Sequence, residues 1–496
     1  MRGAKMASAL VSSNRAGVLK SVVLACVLGT AFGVPTARAG DECEPRWSAL
    51  TGPGGTGVSD PSGSSFVRAL AVFDDGGGAA LYAGGFFSTA GGVTVNGIAR
   101  WDGASWSPLG SGIAGEFLPT VWALTVFDDG TGPALYAGGS DFTTAGGVTV
   151  NNIARWDGSA WSALTGPGGT GVDFTVAALT VFDDGSGPAL YVGGNFTSAG
   201  GVTVNRIARW NGSAWSGLTG PGGTGVNGTV WSLTVFDDGS GGGPALYAGG
   251  VFTTAGGVTV NRIARWDGSA WSALTGSGGT GVGSWVNAMA VFDDGTGSAL
   301  YAGGIFITAG GVTVNRIARW DGSVWSPLTV PGGTGVNGQI SALRVFDDGT
   351  GPALYAGGYF DTAGGLTVNR VARWDGSTWS TLTGPGGTGV MSPGGVLALM
   401  AFDHGIGAGP ALYAGGDFTT AGGVTANGIA KWQGCAVTPP PCLADINGDG
   451  VLDFFDVQMF LSLYASGNLA ADFTGDGTLD FFDVQAFLNL YAAGCP

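Results

Sequence analysis

The sequence predicts an all-β fold, a seven-bladed β-propeller, followed by a small helical domain. Three observations predict it. A unit of 54 to 58 residues recurs seven times, one unit is split between the two ends of the repeat region, and composition changes abruptly after residue 436. Two markers show the repeat. LYAGG or a near variant places Tyr at 82, 136, 191, 247, 301, 355 and 413, and RWDG or a near variant places Trp at 101, 156, 210, 266, 320, 374 and 432. Gly makes up 99 of 496 residues, spread along the chain as expected for tight turns between short strands.

Residues 121–172 show one unit in full. VWALTVFDD is β-rich and ends in Asp-Asp-Gly, a hairpin turn signal; ALYAGG follows as a second strand. DFTTAGGVTVN is a connection, NIARW a third strand, DGS a turn and AWSAL a fourth strand; TGPGGTGV leads to the next unit. Four short antiparallel strands at this period predict a propeller blade, although a solenoid shares the period. The split unit decides between them. Residues 46–58, RWSALTGPGGTGV, are a fourth strand and linker with no first three strands, whereas the seventh unit ends at IAKWQGC without a fourth. In a ring, residues 46–50 complete the seventh unit and remove two open sheet edges. The units resemble kelch-like and WD-type blades in length and strand count, but carry neither signature.

Cysteine placement fits the ring. Cys26 falls in the leader described below, leaving Cys43, Cys435, Cys442 and Cys495. Cys43 precedes the donated strand and Cys435 follows the truncated third strand, positions that lie across one turn in an intact unit. The expected pairs are Cys43–Cys435 and Cys442–Cys495, among three pairings that four cysteines permit.

The N-terminal end reads as an export signal, residues 1–39. Arg2, Lys5, Arg15 and Lys20 precede an uncharged run from Ser21 to Val34, and Ala37-Arg38-Ala39 is a cleavage site. No other segment is apolar enough to span a membrane. Five of the 19 Lys and Arg lie in residues 1–39, against none of the 35 Asp and Glu, so the remainder carries a net charge of −21. That charge argues against nucleic acid and anionic lipid as partners and favours cations.

Repeated residues are poor catalytic candidates, because one active site needs no seven copies. The Asp pairs, from Asp74-Asp75 to Asp347-Asp348, are expected to cap turns and pair with the repeated Arg100, Arg155, Arg209, Arg265, Arg319 and Arg373. The Trp pairs are expected in the core between units. His404 is the one His, and Glu occurs only at 42, 44 and 116, so no catalytic set emerges. The linkers before each first strand vary: SDPSGSSF at 59–66, DFT at 173–175, NGT at 227–229, GSW at 283–285, NGQ at 337–339, MSPGG at 391–395, and GSGIAGEFLPT in unit two. In a propeller they gather on one face around the channel mouth. Phe117, Trp122, Phe174, Trp231 and Trp285 would form an aromatic binding patch there for a glycan or protein.

After the proline linker at 437–442, residues 443–496 carry the most specific motif. DINGDGVLDFFD from Asp445 matches the calcium loop D-x-[DN]-x-[DN]-G with a carboxylate at position twelve. Asp445, Asn447, Asp449, Val451 (carbonyl), Asp453 and Asp456 supply oxygens for one Ca2+. Twenty-seven residues later, Asp472, Thr474, Asp476, Thr478 (carbonyl), Asp480 and Asp483 do so for a second. Each loop leads into a helix with an apolar face: Val457, Phe460, Leu461 and Tyr464, then Val484, Phe487, Leu488 and Tyr491. Eight Asp and no Lys or Arg occupy residues 440–496, so folding needs the charge neutralised. Two loop–helix units without the entering helix of an EF-hand resemble a type I dockerin, the variant with a Gly-Cys terminus. That resemblance implies calcium-dependent docking to a cohesin-type receptor on a scaffold or cell surface. Phe454-Phe455 and Phe481-Phe482 occupy the positions where such domains contact cohesin, and there they replace small hydroxyl residues.

These readings together predict a secreted, non-catalytic binding or display protein. The alternatives are a carbohydrate-active component of a polysaccharide-degrading assembly and a structural surface-layer protein.

Overall fold

The computed structural model describes residues 45–391, 394–404 and 409–434, and in the tail 444, 446, 454–466, 468, 471, 473, 478–479 and 481–493. Of Phe454, Phe455, Phe482, Ala492 and Ala493 it describes the backbone only. The leader, Cys43, Cys435, Cys442 and Cys495 lie outside the described residues, as do Asp445, Asn447, Asp449, Val451, Asp453, Asp472, Thr474, Asp476 and Asp480.

Among the described residues, seven four-stranded antiparallel sheets follow one another along the chain. In unit two, Thr120–Asp128 pairs with Pro133–Ser140, which pairs with Ile153–Trp156, which pairs with Trp161–Ala163. The second strand is buried without a break from Ala134 to Gly139 because both its faces are covered, which suppresses the usual alternation. Glycine sets how closely the sheets approach. A Cβ added at Gly84 would lie 2.5 Å from Cγ1 of Val121 in the next unit, and one at Gly415 of unit seven 2.6 Å from Cγ1 of Val67 in unit one. Each core cluster of these sheets therefore spans two of them, and one joins Phe402, Tyr413 and Ile429 to Val67, Leu81 and Trp101.

Every first strand carries a register shift between its buried Val or Ile and the residue two further on. One residue per unit is left out of the ladder: Arg68, Trp122, Ala177, Trp231, Asn287, Ser341 and Leu397. A bulge of this kind re-aims the extra side chain. The connections are more ordered than their sequence suggests. Thr144–Ala145 pairs with Val148–Thr149, and Thr165–Gly166 with Gly169–Thr170. Gly146 and Gly147 turn the first hairpin at φ 57° and 82°, the positive pair that a two-residue turn requires.

The N-terminal segment behaves as a fourth strand. Arg46–Ala49 pairs antiparallel with Ile429–Gln433, Trp47 opposite Trp432. The two rings lie 5.3 Å apart, as do Trp156 and Trp161 within unit two. The Trp47 indole N–H donates to the Leu382 carbonyl at 3.1 Å, matching the bond from Trp161 to Leu109 at 2.9 Å.

The tail holds helices Phe454–Ala465 and Phe481–Ala493. Phe460 and Phe487, equivalent by the 27-residue repeat, stack at 4.2 Å and 2° in a small core with Ala444 and Ala471. One expectation is corrected here. Leu461 and Leu488 are exposed, while Leu463 packs with Val457 and Tyr464 against the core. The contact stripe centres on Phe460, so the residue one turn after Val457 falls outside it.

Trp47→Ala should destabilise the chain by about 3–5 kcal/mol, the cost of a buried Trp, and as much as Trp161→Ala does. Urea titration of both variants measures it. A Trp47 variant as stable as the parent would show that the N-terminal strand is dispensable.

Candidate ligand-binding site

The repeated carboxylates are structural. Asp128 Oδ1 accepts the backbone N–H groups of Gly130 and Gly132 at 2.8 and 3.0 Å, closing the turn. Asp129 Oδ2 accepts the Tyr136 hydroxyl at 2.9 Å and meets Arg155 Nε at 3.1 Å. Equivalent sets unite Asp75, Tyr82 and Arg100, and recur around Asp184, Asp238, Asp294 and Asp348. Burial pushes the Asp129 carboxyl up, but hydrogen bonds from Thr131 and Tyr136 and the Arg155 charge outweigh it and hold it below the usual range. The Trp pairs are buried between sheets, in line with a core role.

Unit seven departs from this pattern. His404 stands where the other units have the second Asp, and Lys431 where they have Arg. The imidazole lies 4.3 Å from the Phe402 ring and 5.8 Å from Tyr413, and among the described residues neither ring nitrogen has a hydrogen-bond partner. Burial, then the Lys431 charge, pushes its pKa down, so it is neutral at pH 7. It is a packing residue.

The face that carries the variable linkers holds a cavity of 470 Å³ between units two and three. Glu116, Phe117, Asp141, Asn151, Asp173 and Phe174 are among its lining residues. Phe117 is 79 % exposed and Phe174 56 %, and Trp285 on another linker is 49 % exposed. Unit two's divergent linker supplies Glu116 and Phe117, and DFT supplies Asp173 and Phe174, so the cavity sits where the copies differ most. Asp173 is fixed by the Thr197 hydroxyl at 2.7 Å and by the N–H groups of Thr197 and Ser198 at 2.8 and 3.0 Å.

Trp122 and Trp231 do not join that exposed patch. They are half-buried bulge residues of units two and four, stacked at 5.8 Å and 25° across the space between the first strands. The bulge turns each inward, whereas the other three aromatics sit on the linkers. Trp122 donates its indole N–H to Ser140 Oγ at 3.1 Å, and Ser140 also lines the cavity. Arg68 of unit one places its guanidinium carbon 4.1 Å from the Trp122 ring centre. Sequence reasoning passed over Arg68. Its signal was there: in the aligned copies FVRAL, TVWAL, TVAAL, TVWSL, WVNAM, QISAL and GVLAL, the third column varies freely between conserved neighbours.

In the tail, Asp456 and Asp483 lie in the first turns of the two helices and are fully buried. Thr478 is exposed, and Phe481 is 68 % exposed. The side chains of Phe454, Phe455 and Phe482 lie outside the described residues. Met459, Leu461, Leu488 and Leu490 are also exposed.

A family described as a β-propeller domain of unknown function, DUF5122, matches residues 190–212. The chain carries a β-propeller repeat. No curated protein matches it. Among solved structures, the extracellular domain of a protein described as a hybrid two-component system from B. thetaiotaomicron aligns at 12% identity and TM-score 0.44, over 78% of this chain and 39% of that one. A B. thetaiotaomicron extracellular domain described as belonging to a one-component system aligns at 13% and 0.43, over 76% and 39%. A GH74 xyloglucanase from Xanthomonas campestris aligns at 16% and 0.40, over 75% and 53%. The chain thus spans about two fifths to one half of the length of these structures. Among the described residues, no helix is long and apolar enough to cross a membrane.

His404→Asp would place a second carboxylate beside Asp403 at the position that meets Tyr and Arg in the other units. The substitution should raise stability at pH 7 by about 1–2 kcal/mol. A carboxyl whose pKa is lowered by folding contributes fully above its unfolded value of about 4 and loses that contribution as pH falls through its lower folded value, so the gain should shrink below pH 4 and vanish at about pH 2. Urea titration at both pH values tests this, and a variant less stable than the parent at pH 7 would refute it.

Proposed function

We propose that this chain is a secreted, non-catalytic glycan-binding protein, with a closed seven-bladed ring as its ligand platform and a calcium-dependent dockerin-like tail as its anchor. The observation that carries the reading is the 470 Å³ cavity on the linker face, with Phe117 and Phe174 exposed at it. Exposed aromatic rings stack on sugar C–H faces, and the Asp, Asn and Glu acceptors around them suit a ring rich in hydroxyls. The pairing of Arg46–Ala49 with Ile429–Gln433, and the contact of Gly415 with Val67, support a closed ring. A disulfide from Cys43 to Cys435 would hold the same junction, with Cys442 and Cys495 joined across the tail. Peptide mapping without reductant should recover both pairs, and recovery of Cys43 linked to Cys495 would refute this pairing.

For the tail, Asp445, Asn447, Asp449, the Val451 carbonyl, Asp453 and Asp456 would hold one Ca2+. Asp472, Thr474, Asp476, the Thr478 carbonyl, Asp480 and Asp483 would hold the other. The donor set fits: oxygen only, strongly anionic, with Asp456 and Asp483 buried at equivalent helix starts where an ion would offset their charge. Bound calcium would supply that neutralisation and pin each loop to its helix. Phe481 and the exposed Met459, Leu461, Leu488 and Leu490 support an apolar docking surface for a cohesin-type receptor. Phe454, Phe455 and Phe482 would extend it.

Glu116, Asp141 and Asp173 at the cavity favour one second reading, a carbohydrate-active component delivered by the same anchor. The experiment uses the full chain on a glycan panel and on the source cell's surface fraction, each with calcium and with chelator. A bound, unhydrolysed glycan lost in Phe117→Ala/Phe174→Ala, with one surface protein captured only with calcium, is expected. Hydrolysis abolished by Glu116→Gln or Asp141→Asn would establish the second reading. Binding to nothing would leave a structural surface-layer role.

A further inference from the structure

We propose that Arg68 is the carboxylate-binding group of the linker face, and that the ligand is a saccharide chain bearing uronic acid groups. This deepens the glycan-binding reading and rests on it.

Arg68 is the bulge residue of Phe66–Asp74, turned toward the space between the first strands. Its guanidinium lies over Trp122, 4.1 Å from the ring centre, and Trp122 stacks in turn on Trp231. One face of the cation is thus fixed while its donor edges remain in plane. Among the described residues Arg68 makes no hydrogen bond and no ion pair. By contrast, Arg100, Arg155, Arg209, Arg265, Arg319 and Arg373 each meet an Asp within 3.5 Å. Held against an indole face, its donor edges remain available to an incoming acceptor.

The groups facing it do not supply one. Asp417 is the carboxylate near Arg68, and its oxygens take the Gly395 N–H and, at 3.0 Å, the Tyr359 hydroxyl. Burial, opposed by Tyr359 and Asp417, brings the Arg68 pKa down to about 10, so the group stays charged at neutral pH.

A planar carboxylate matches the guanidinium fork in two parallel hydrogen bonds. The saccharide follows from position. Trp122, beneath Arg68, is held by Ser140, and Ser140 lines the cavity that Phe117 and Phe174 flank. Ser140 thus links the cavity to Trp122, and Trp122 carries Arg68 on its ring face. The surrounding protein is strongly acidic, so a cation at this point selects for an anionic group that the rest of the surface repels.

The test is calorimetric titration of the full chain, with calcium, using an oligogalacturonate and the same oligomer with its carboxyls reduced to alcohols. The acidic oligomer should bind more tightly. Arg68→Gln should cost it about tenfold to a hundredfold in affinity, the worth of charge-assisted hydrogen bonds, and leave the reduced oligomer unaffected. Arg68→Lys should retain part of the preference. Arg344→Gln, a first-strand arginine outside this face, should change neither, and matching thermal transitions identify variants that fold. Equal binding of both oligomers with no effect of Arg68→Gln overturns this inference and leaves the glycan reading standing. Binding of acidic peptides alone overturns the saccharide assignment. No binding of any saccharide, with Phe117→Ala/Phe174→Ala equally inert, overturns the glycan reading itself.

Discussion

Arg46–Ala49 pairs with Ile429–Gln433 at the far end of the repeat region, and the other sheets depend on that pairing because each buries its faces only against its neighbours. Without it the seventh sheet would end at an open strand, and the Phe402–Val67 cluster would lose the cover beside it. Trp47 reproduces inside this pairing what Trp161 does within a continuous unit, down to the bond with a carbonyl of the preceding unit. Arg46–Ala49 is therefore held to the seventh sheet by the same means that build every unit.

Two devices repeat around that frame. Glycines of LYAGG let each sheet approach the next so closely that a methyl group would collide with a branched side chain. The Asp–Tyr–Arg set ties the outer turn to the second and third strands, with the Asp charge satisfied by two partners instead of facing solvent. Unit seven replaces the second Asp by His404 and the Arg by Lys431, yet keeps Tyr413 buried at its usual place. Packing therefore tolerates the loss of the ionic set in one copy, as expected when apolar burial supplies most of the stability.

Most of this architecture was legible in the sequence because the repeat averages out local ambiguity. Seven copies of a Tyr and two Trp, and six of an Arg, at fixed offsets leave few ways to pair strands, and the orphan RWSAL at residue 46 had one unit to complete. The hairpins at Gly146-Gly147 and in TGPGGTGV were missed as ladders because two-residue strands carry no periodicity. Leu461 and Leu488 were misplaced because a helix period gives the width of an apolar face, not its centre; packing of Phe460 on Phe487 sets that centre. Trp122 and Trp231 were misplaced because strand alternation fails at a bulge, and a bulge depends on the partner strand.

The same logic explains where function can reside in so repetitive a chain. Positions that hold the sheets together are constrained identically in every unit, so they cannot distinguish one unit from another. The bulge column is free of that constraint because its residues are left out of the ladder, and the linkers are held only by short pairings of one or two residues. Both differ from unit to unit, and in units one to three they meet at Ser140, between Trp122 and the cavity of Phe117 and Phe174. Sheets that repeat for stability can differ from one another only at such positions, and Arg68 over Trp122, the stacked indoles of Trp122 and Trp231, and the exposed Phe117 and Phe174 all occupy them.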